Sequence, residues 1–88
     1  SDFDNSLEYT ILKRDLDSNS HVNNLNYIDF AYEVLPSNID IKELEISYLK
    51  ESKLDDKLEI GCTFSNNIYI ITIRNLTQNC VSAIISCK

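Results

Sequence analysis

Residues 24–35 read NLNYIDFAYEVL. After the opening Asn24, polar side chains fall only at Asn26, Asp29 and Glu33, in steps of three and four. That spacing draws one narrow wet stripe along a helix apolar on nearly every other side. Asn23 or Asn24 can cap its start, because an Asn side chain accepts a hydrogen bond from a free first-turn N–H. Pro36 stops it, having no N–H to donate and pushing the preceding residue out of helical geometry. A helix this apolar has to be enclosed, most simply by a sheet wrapped around it.

The flanking sequence changes period to two. In EYTILKR (8–14), Tyr9 and Ile11 alternate with Thr10 and Leu12, which predicts a strand. ELEISYLK (43–50) sets Leu44, Ile46 and Tyr48 against Glu43, Glu45 and Ser47, and KLEIGCTF (57–64) repeats the pattern. Ser65, Asn66 and Asn67 supply turn chemistry for a hairpin into IYIITIR (68–74), and CVSAIISC (80–87) is the last strand. Short alternating runs joined by tight turns indicate antiparallel pairing. SDFDNSL (1–7) is polar and acidic, read as a flexible lead-in or the scar of a longer chain cut there. The order is strand, buried helix, four strands: one α+β domain over residues 8–88, a curved antiparallel sheet around a central helix.

Composition narrows the function. With 88 residues, 43% hydrophobic and 25% charged, this is one ordinary globular domain or part of one. A net charge of −6 argues against general nucleic-acid binding, which needs clustered Lys and Arg. No apolar run approaches the roughly 20 residues that span a bilayer, and no signal segment opens the chain. Cys62, Cys80 and Cys87 make an odd count without CxxC spacing and sit in strand-like runs, so they read as small buried hydrophobes. With a single His they offer no structural zinc site, nothing calls for a cofactor, and a cytoplasmic, reducing location fits. Lys13 and Arg14 form one basic group, Lys50, Lys53 and Lys57 another; they read either as solvated surface or as a basic patch for an acidic partner.

Just before the helix runs DLDSNSHVNNLNYI (15–28), with Asp17, Asn19 and His21 at alternate positions. They lie at the helix N-terminus, where free N–H groups and the positive dipole end favour developing negative charge. In an extended segment the three side chains point to one side, where a carboxylate, an amide and an imidazole can orient and deprotonate a water. By residue type alone, however, the run reads more readily as a turn and cap, which Asp and Asn supply routinely.

Residues 14–36, RDLDSNSHVNNLNYIDFAYEVLP, resemble the hot-dog-fold acyl-ACP thioesterases (ACP, acyl carrier protein), whose second hot-dog half carries D-x-N-x-H-V-N-N-x-x-Y leading into the central helix. That resemblance assigns catalytic roles to Asp17, Asn19 and His21. The family's Tyr-x-x-Glu-Cys segment is matched by YLKES (48–52) at Tyr48 and Glu51, with Ser52 in place of the Cys. Glu51 is otherwise just an acidic residue at a Lys-flanked strand end. Ser52 is a poor nucleophile candidate, since the one His belongs to the other motif.

The resemblance implies a hot-dog fold and hydrolysis of fatty acyl-ACP thioesters. Glu51, with Asp17 near it, would orient and deprotonate water or attack directly, and His21 and Asn19 would hold water and thioester. Backbone N–H groups of Val22, Asn23 and Asn24 would stabilise the oxyanion, and mutual repulsion would raise a carboxylate pKa if Asp17 and Glu51 converge. Lys13, Arg14, Lys50 and Lys53 would steer the acidic carrier protein. The chain resembles the C-terminal half of a double hot-dog enzyme, so pairing with an N-terminal hot-dog domain, or a homodimer imitating it, is expected. Two other readings remain: a hot-dog acyl-CoA thioesterase, and a non-catalytic dimerisation or acyl-binding domain.

Overall fold

The Asn66–Asn67 pair turns the chain as its residue types demand. Both adopt the left-handed region (φ 53° and 64°), which Asn tolerates and which a two-residue hairpin needs to match strand twist. Ser65 and Ile68 close this turn as the last pair of the ladder. The computed structural model describes residues 2–88. Its elements are β1 (Asn5–Thr10), a short 3-10 turn (Lys13–Asp15), α1 (Asn24–Val34), β2 (Leu44–Tyr48), β3 (Lys57–Ser65), β4 (Ile68–Asn75) and β5 (Cys80–Cys87). The sheet runs β1-β3-β4-β5-β2 with every pair antiparallel. A five-stranded curved antiparallel sheet carrying one helix is the hot-dog fold.

Two strands move at both ends, and β3 and β4 each run one residue further than expected. The first strand was expected over 8–14 but occupies Asn5–Thr10, so residues 5–7 of the expected lead-in are paired with β3. Its ladder ends where Thr10 meets Lys57, the first residue of β3, and beyond it Asp15 Oδ2 draws the Leu12 N–H (2.8 Å) into the 3-10 turn. β2 is shorter than 43–50 because the N–H groups of both Leu49 and Lys50 turn onto the Ser82 carbonyl (2.9 and 3.2 Å).

Period two places Leu58, Ile60 and Cys62 of β3, Ile71 and Ile73 of β4, and Ala83, Ile85 and Cys87 of β5 on one face. All are buried against Tyr27, Phe30, Ala31 and Val34 of α1. Burial also pushes up the Cys62 and Cys87 thiols, leaving them as inert packing groups. Enclosure of the helix is one-sided. Leu25 stays 65% and Tyr32 55% exposed, because the five strands reach round only part of α1.

On the opposite face the chain's single glycine has a packing role. The Phe3 ring lies over Gly61, where a Cβ would collide with it, and the Arg74 guanidinium stands 5.0 Å from the ring centre. Gly61→Ala is expected to lift Phe3 off the sheet at about 1 kcal/mol, the scale of lost ring burial plus an exposed cation–π contact. Urea unfolding of G61A, F3A and the double variant checks this: the two costs should be strongly non-additive if the ring is what the methyl displaces.

Candidate active site

All chemistry-bearing residues of the two motifs sit at one end of the molecule. There β1 leaves for α1, and residues 49–56 cross from the β2 edge back to β3. These two connections are tied together: the Ile11 N–H donates to the Asp56 carbonyl (2.9 Å) and the Asp55 N–H to the Ile11 carbonyl (3.1 Å). The buried Asp15 carboxylate fastens the first connection to the helix, accepting from Tyr9 Oη (2.7 Å) and Asn26 Nδ2 (3.0 Å).

The DSNSH run is a closed turn, not the extended segment expected. Asp17 N–H donates to the His21 carbonyl (2.7 Å), Ser20 N–H to the Asp17 carbonyl (3.0 Å), and Leu16 and Val22 form a bridge across its base. Ser20 takes a positive φ of 64° to complete the reversal. Asp17 Oδ1 accepts from the Asn19 N–H (2.9 Å) and the His21 N–H (3.1 Å). The N–H donors of His21 and Asn19 hold its carboxyl below the usual carboxylate range. That is opposite to the like-charge elevation expected, since Asp17 spends its charge on its own loop. Asn19 enters the turn through its backbone.

Glu51 is the carboxylate that reaches the imidazole. Its Oε1 lies 3.1 Å from His21 Nδ1, with both side chains about half exposed (51% and 52%). Thirty residues apart in the chain, the two groups meet across the tied connections. A carboxylate beside Nδ1 favours a proton on that nitrogen, which leaves Nε2 as the acceptor.

Beside them is the helix start. Asn23 is the N-cap, its Oδ1 accepting from the Leu25 N–H (3.0 Å). Its own N–H is bonded to the Asp15 carbonyl (2.9 Å), which removes Asn23 from the expected oxyanion donors. Among the described residues no acceptor takes the Val22 or Asn24 N–H. Both residues line an open cleft of about 280 Å³ with Tyr27, Tyr48, Leu49, Lys50 and Glu51. A larger hollow of about 490 Å³, between β1 and α1, is lined by neither His21 nor Glu51 and is walled by Arg14, Asp15, Asp29 and Glu33, whereas Glu51 lines the smaller cleft and holds His21 beside it. Lys13 and Arg14 lie on the 3-10 turn and Lys50 and Lys53 on either side of Glu51, all exposed.

Beneath Glu51 lies a buried polar cluster that sequence reasoning missed. Ser52, Asp56, Asn75 and Ser82 are each at most 6% exposed. Ser52 Oγ is shared by Tyr27 Oη (3.1 Å), Ser82 Oγ (2.9 Å) and Asn75 Nδ2 (3.4 Å). Asp56 Oδ2 accepts from Gln78 Nε2 (2.7 Å), Asn75 Nδ2 (2.8 Å) and the Lys53 N–H (2.9 Å). Burial works to raise the Asp56 carboxyl, but the Asn75, Gln78 and Lys53 donors outweigh it and hold it below the usual range. The available signal was an Asn ending a β-rich run, which a sequence reader assigns to a turn.

Comparison with known proteins adds independent weight. No curated protein matches the sequence. Among solved structures, the 12:0-ACP thioesterase from Umbellularia californica superposes with a TM-score of 0.88 at 24% identity, over 99% of this chain and 35% of that one. An acyl-ACP thioesterase from Bacteroides thetaiotaomicron gives 0.82 at 24%, over 92% and 35%. A 1,4-dihydroxy-2-naphthoyl-CoA thioesterase from Synechocystis gives 0.80 at 12%, over 94% and 77%. These likenesses establish the shared fold, and the chain spans about a third of the length of the two acyl-ACP enzymes. The family described as the acyl-ACP thioesterase C-terminal domain matches residues 2–85, nearly the whole chain. This chain, with its two motifs brought together at the start of the central helix, belongs to that family.

Proposed function

We propose that this domain supplies the catalytic half of an enzyme that hydrolyses fatty acyl-ACP thioesters to free fatty acids. The observation that carries the reading is the His21–Glu51 pair, 3.1 Å apart beside an open cleft at a helix N-terminus. With Glu51 beside Nδ1, His21 Nε2 is the base that takes the proton from water, and the Glu51 carboxylate stabilises the imidazolium that forms. Water attacks the thioester carbon as its proton passes to Nε2, and the N–H groups of Val22 and Asn24 receive the charge growing on oxygen. The C–S bond then breaks, and the departing thiolate recovers the proton. Asp17 and Asn19 act by shaping the turn that presents His21.

Lys50 and Lys53 flank Glu51 and suit an acidic carrier protein, a reason to favour carrier protein over coenzyme A as the acyl donor. A cytoplasmic site of action fits the three unbridged cysteines. A second hot-dog fold, the N-terminal half of a longer chain or another copy, would cover the exposed Leu25, Tyr32 and Leu49 and the free β2 edge.

The test is steady-state hydrolysis of acyl-ACP and acyl-CoA thioesters of one chain length, at low and high salt. Acyl-ACP should be the better substrate, and neutralising Lys50 and Lys53 together should lower its kcat/KM about tenfold at low salt and far less at high salt. Equal use of both thioesters, with no salt dependence, would instead favour a coenzyme A enzyme.

A further inference from the structure

Glu51 belongs to no strand, yet its carboxylate must be aimed at one nitrogen of one ring. We propose that Ser52 is the positioning residue of the site, tying the Glu51 segment to α1 and to β5 through a single buried hydroxyl. The proposal rests on the reading of Glu51 and His21 as the reacting pair.

Donor counting supports it. Asn75 Nδ2 can only donate, and Tyr27 Oη donates to Ser52 Oγ. Those two bonds fill both acceptor positions of the hydroxyl, so its own proton goes to Ser82 Oγ. Ser52 is saturated and 1% exposed; it holds, and does not attack. Tyr27 is on the helix whose first turn lines the cleft, so the Tyr27–Ser52 bond ties Glu51's neighbour to the helix that begins at Asn24.

A β-bulge makes the arrangement possible. Ile73 pairs with Ala83 but Arg74 pairs with Val81, leaving Ser82 as the extra residue of β5. Ser82 is thereby turned inward, 1% exposed, with its hydroxyl on Ser52 and its carbonyl on the Leu49 and Lys50 N–H groups. Gln78 Nε2 adds a bond to the Glu51 carbonyl (3.4 Å). From 49 to 53 the segment is held at every residue, while the Glu51 side chain alone is left for His21.

The experiment measures kcat and KM for acyl-ACP hydrolysis by the enzyme in its natural full-length form, as wild type, S52A, S52C, Y27F and E51Q. S52A is expected to lower kcat about 10- to 100-fold, the scale of a misplacement near 1 Å, with little change in KM. S52C, which keeps a donor and acceptor at the position, should recover most of it. A lowered melting temperature with unchanged kcat per folded molecule, or a loss confined to KM, overturns the proposal. If S52A does not fold, Y27F decides: it removes one hydroxyl and keeps the ring, and a several-fold loss of kcat supports positioning where an unchanged kcat refutes it. E51Q separates the two levels. Full turnover in E51Q removes the catalytic reading itself, whereas an inactive E51Q beside a fully active S52A removes only the role of Ser52.

Discussion

Glu51→Gln lowers turnover of acyl-ACP by at least about 100-fold, with the fold and KM largely preserved. The side chain keeps its length and can still accept from His21 Nδ1, so the pair's geometry survives. What disappears is the negative charge that stabilises the imidazolium as water is deprotonated, and general acid–base groups contribute about 100- to 10,000-fold. His21→Ala removes the base itself and falls by a similar factor. Asp17→Asn is the informative contrast. Its Oδ1 accepts from two backbone N–H groups, and an Asn oxygen makes the same bonds, though neutral acceptors bind about half as strongly as ionised ones. The expected loss is about tenfold or less, the cost of a looser turn and not of a missing reactive group. Single-turnover rates with circular dichroism on each variant check the order. A D17N loss as deep as that of E51Q would put Asp17 at the reacting carbon and would demote the present assignment.

Asp56→Ala produces the largest stability loss expected of a single change outside the apolar core. Three donors, on Gln78, Asn75 and the Lys53 backbone, end on one buried carboxylate oxygen. Removing it leaves them unsatisfied, about 3 kcal/mol in all after relaxation and water entry. A domain this size has a total stability of about 5–10 kcal/mol, so the urea midpoint should fall by a large fraction with an unchanged m-value. The pH dependence carries a definite sign. Folding lowers the Asp56 pKa, so its contribution is complete above the unfolded carboxylate value near about 3.9 and is lost as pH falls through the lower folded value. The gap between wild type and D56A should therefore be widest near neutral pH and narrow in acid. A gap that stays constant down to about pH 2 would show that shape, not charge, holds the site's floor.

Secondary structure was legible because each element follows a local rule. Helix α1 starts at its Asn23 cap and ends before Pro36, β5 spans 80–87 as its alternation indicates, and the Asn66–Asn67 turn sits where two left-handed residues are needed. The first strand was misplaced for a non-local reason: its extent depends on where β3 begins, and its end on an Asp15 side chain that reaches back to Leu12. The proposed site residues were legible only through resemblance, since Asp17, Asn19 and His21 are equally the vocabulary of a turn, and a turn is what they build.

Local sequence carries the periods, the caps and the hairpin, and its family resemblance singles out the acid and the imidazole. Tertiary structure alone decided that they meet. Because β2 lies beside β5 at the sheet edge while β3 lies two strands further in, residues 49–56 must cross the end of the sheet past the helix start. That crossing brings Glu51 to His21, and it stays in place through Asn75, Gln78 and a bulged Ser82, residues whose inward aim no local pattern encodes. Local propensities set where the backbone bends; which side chains then face one another depends on how distant strands order themselves to bury one apolar face.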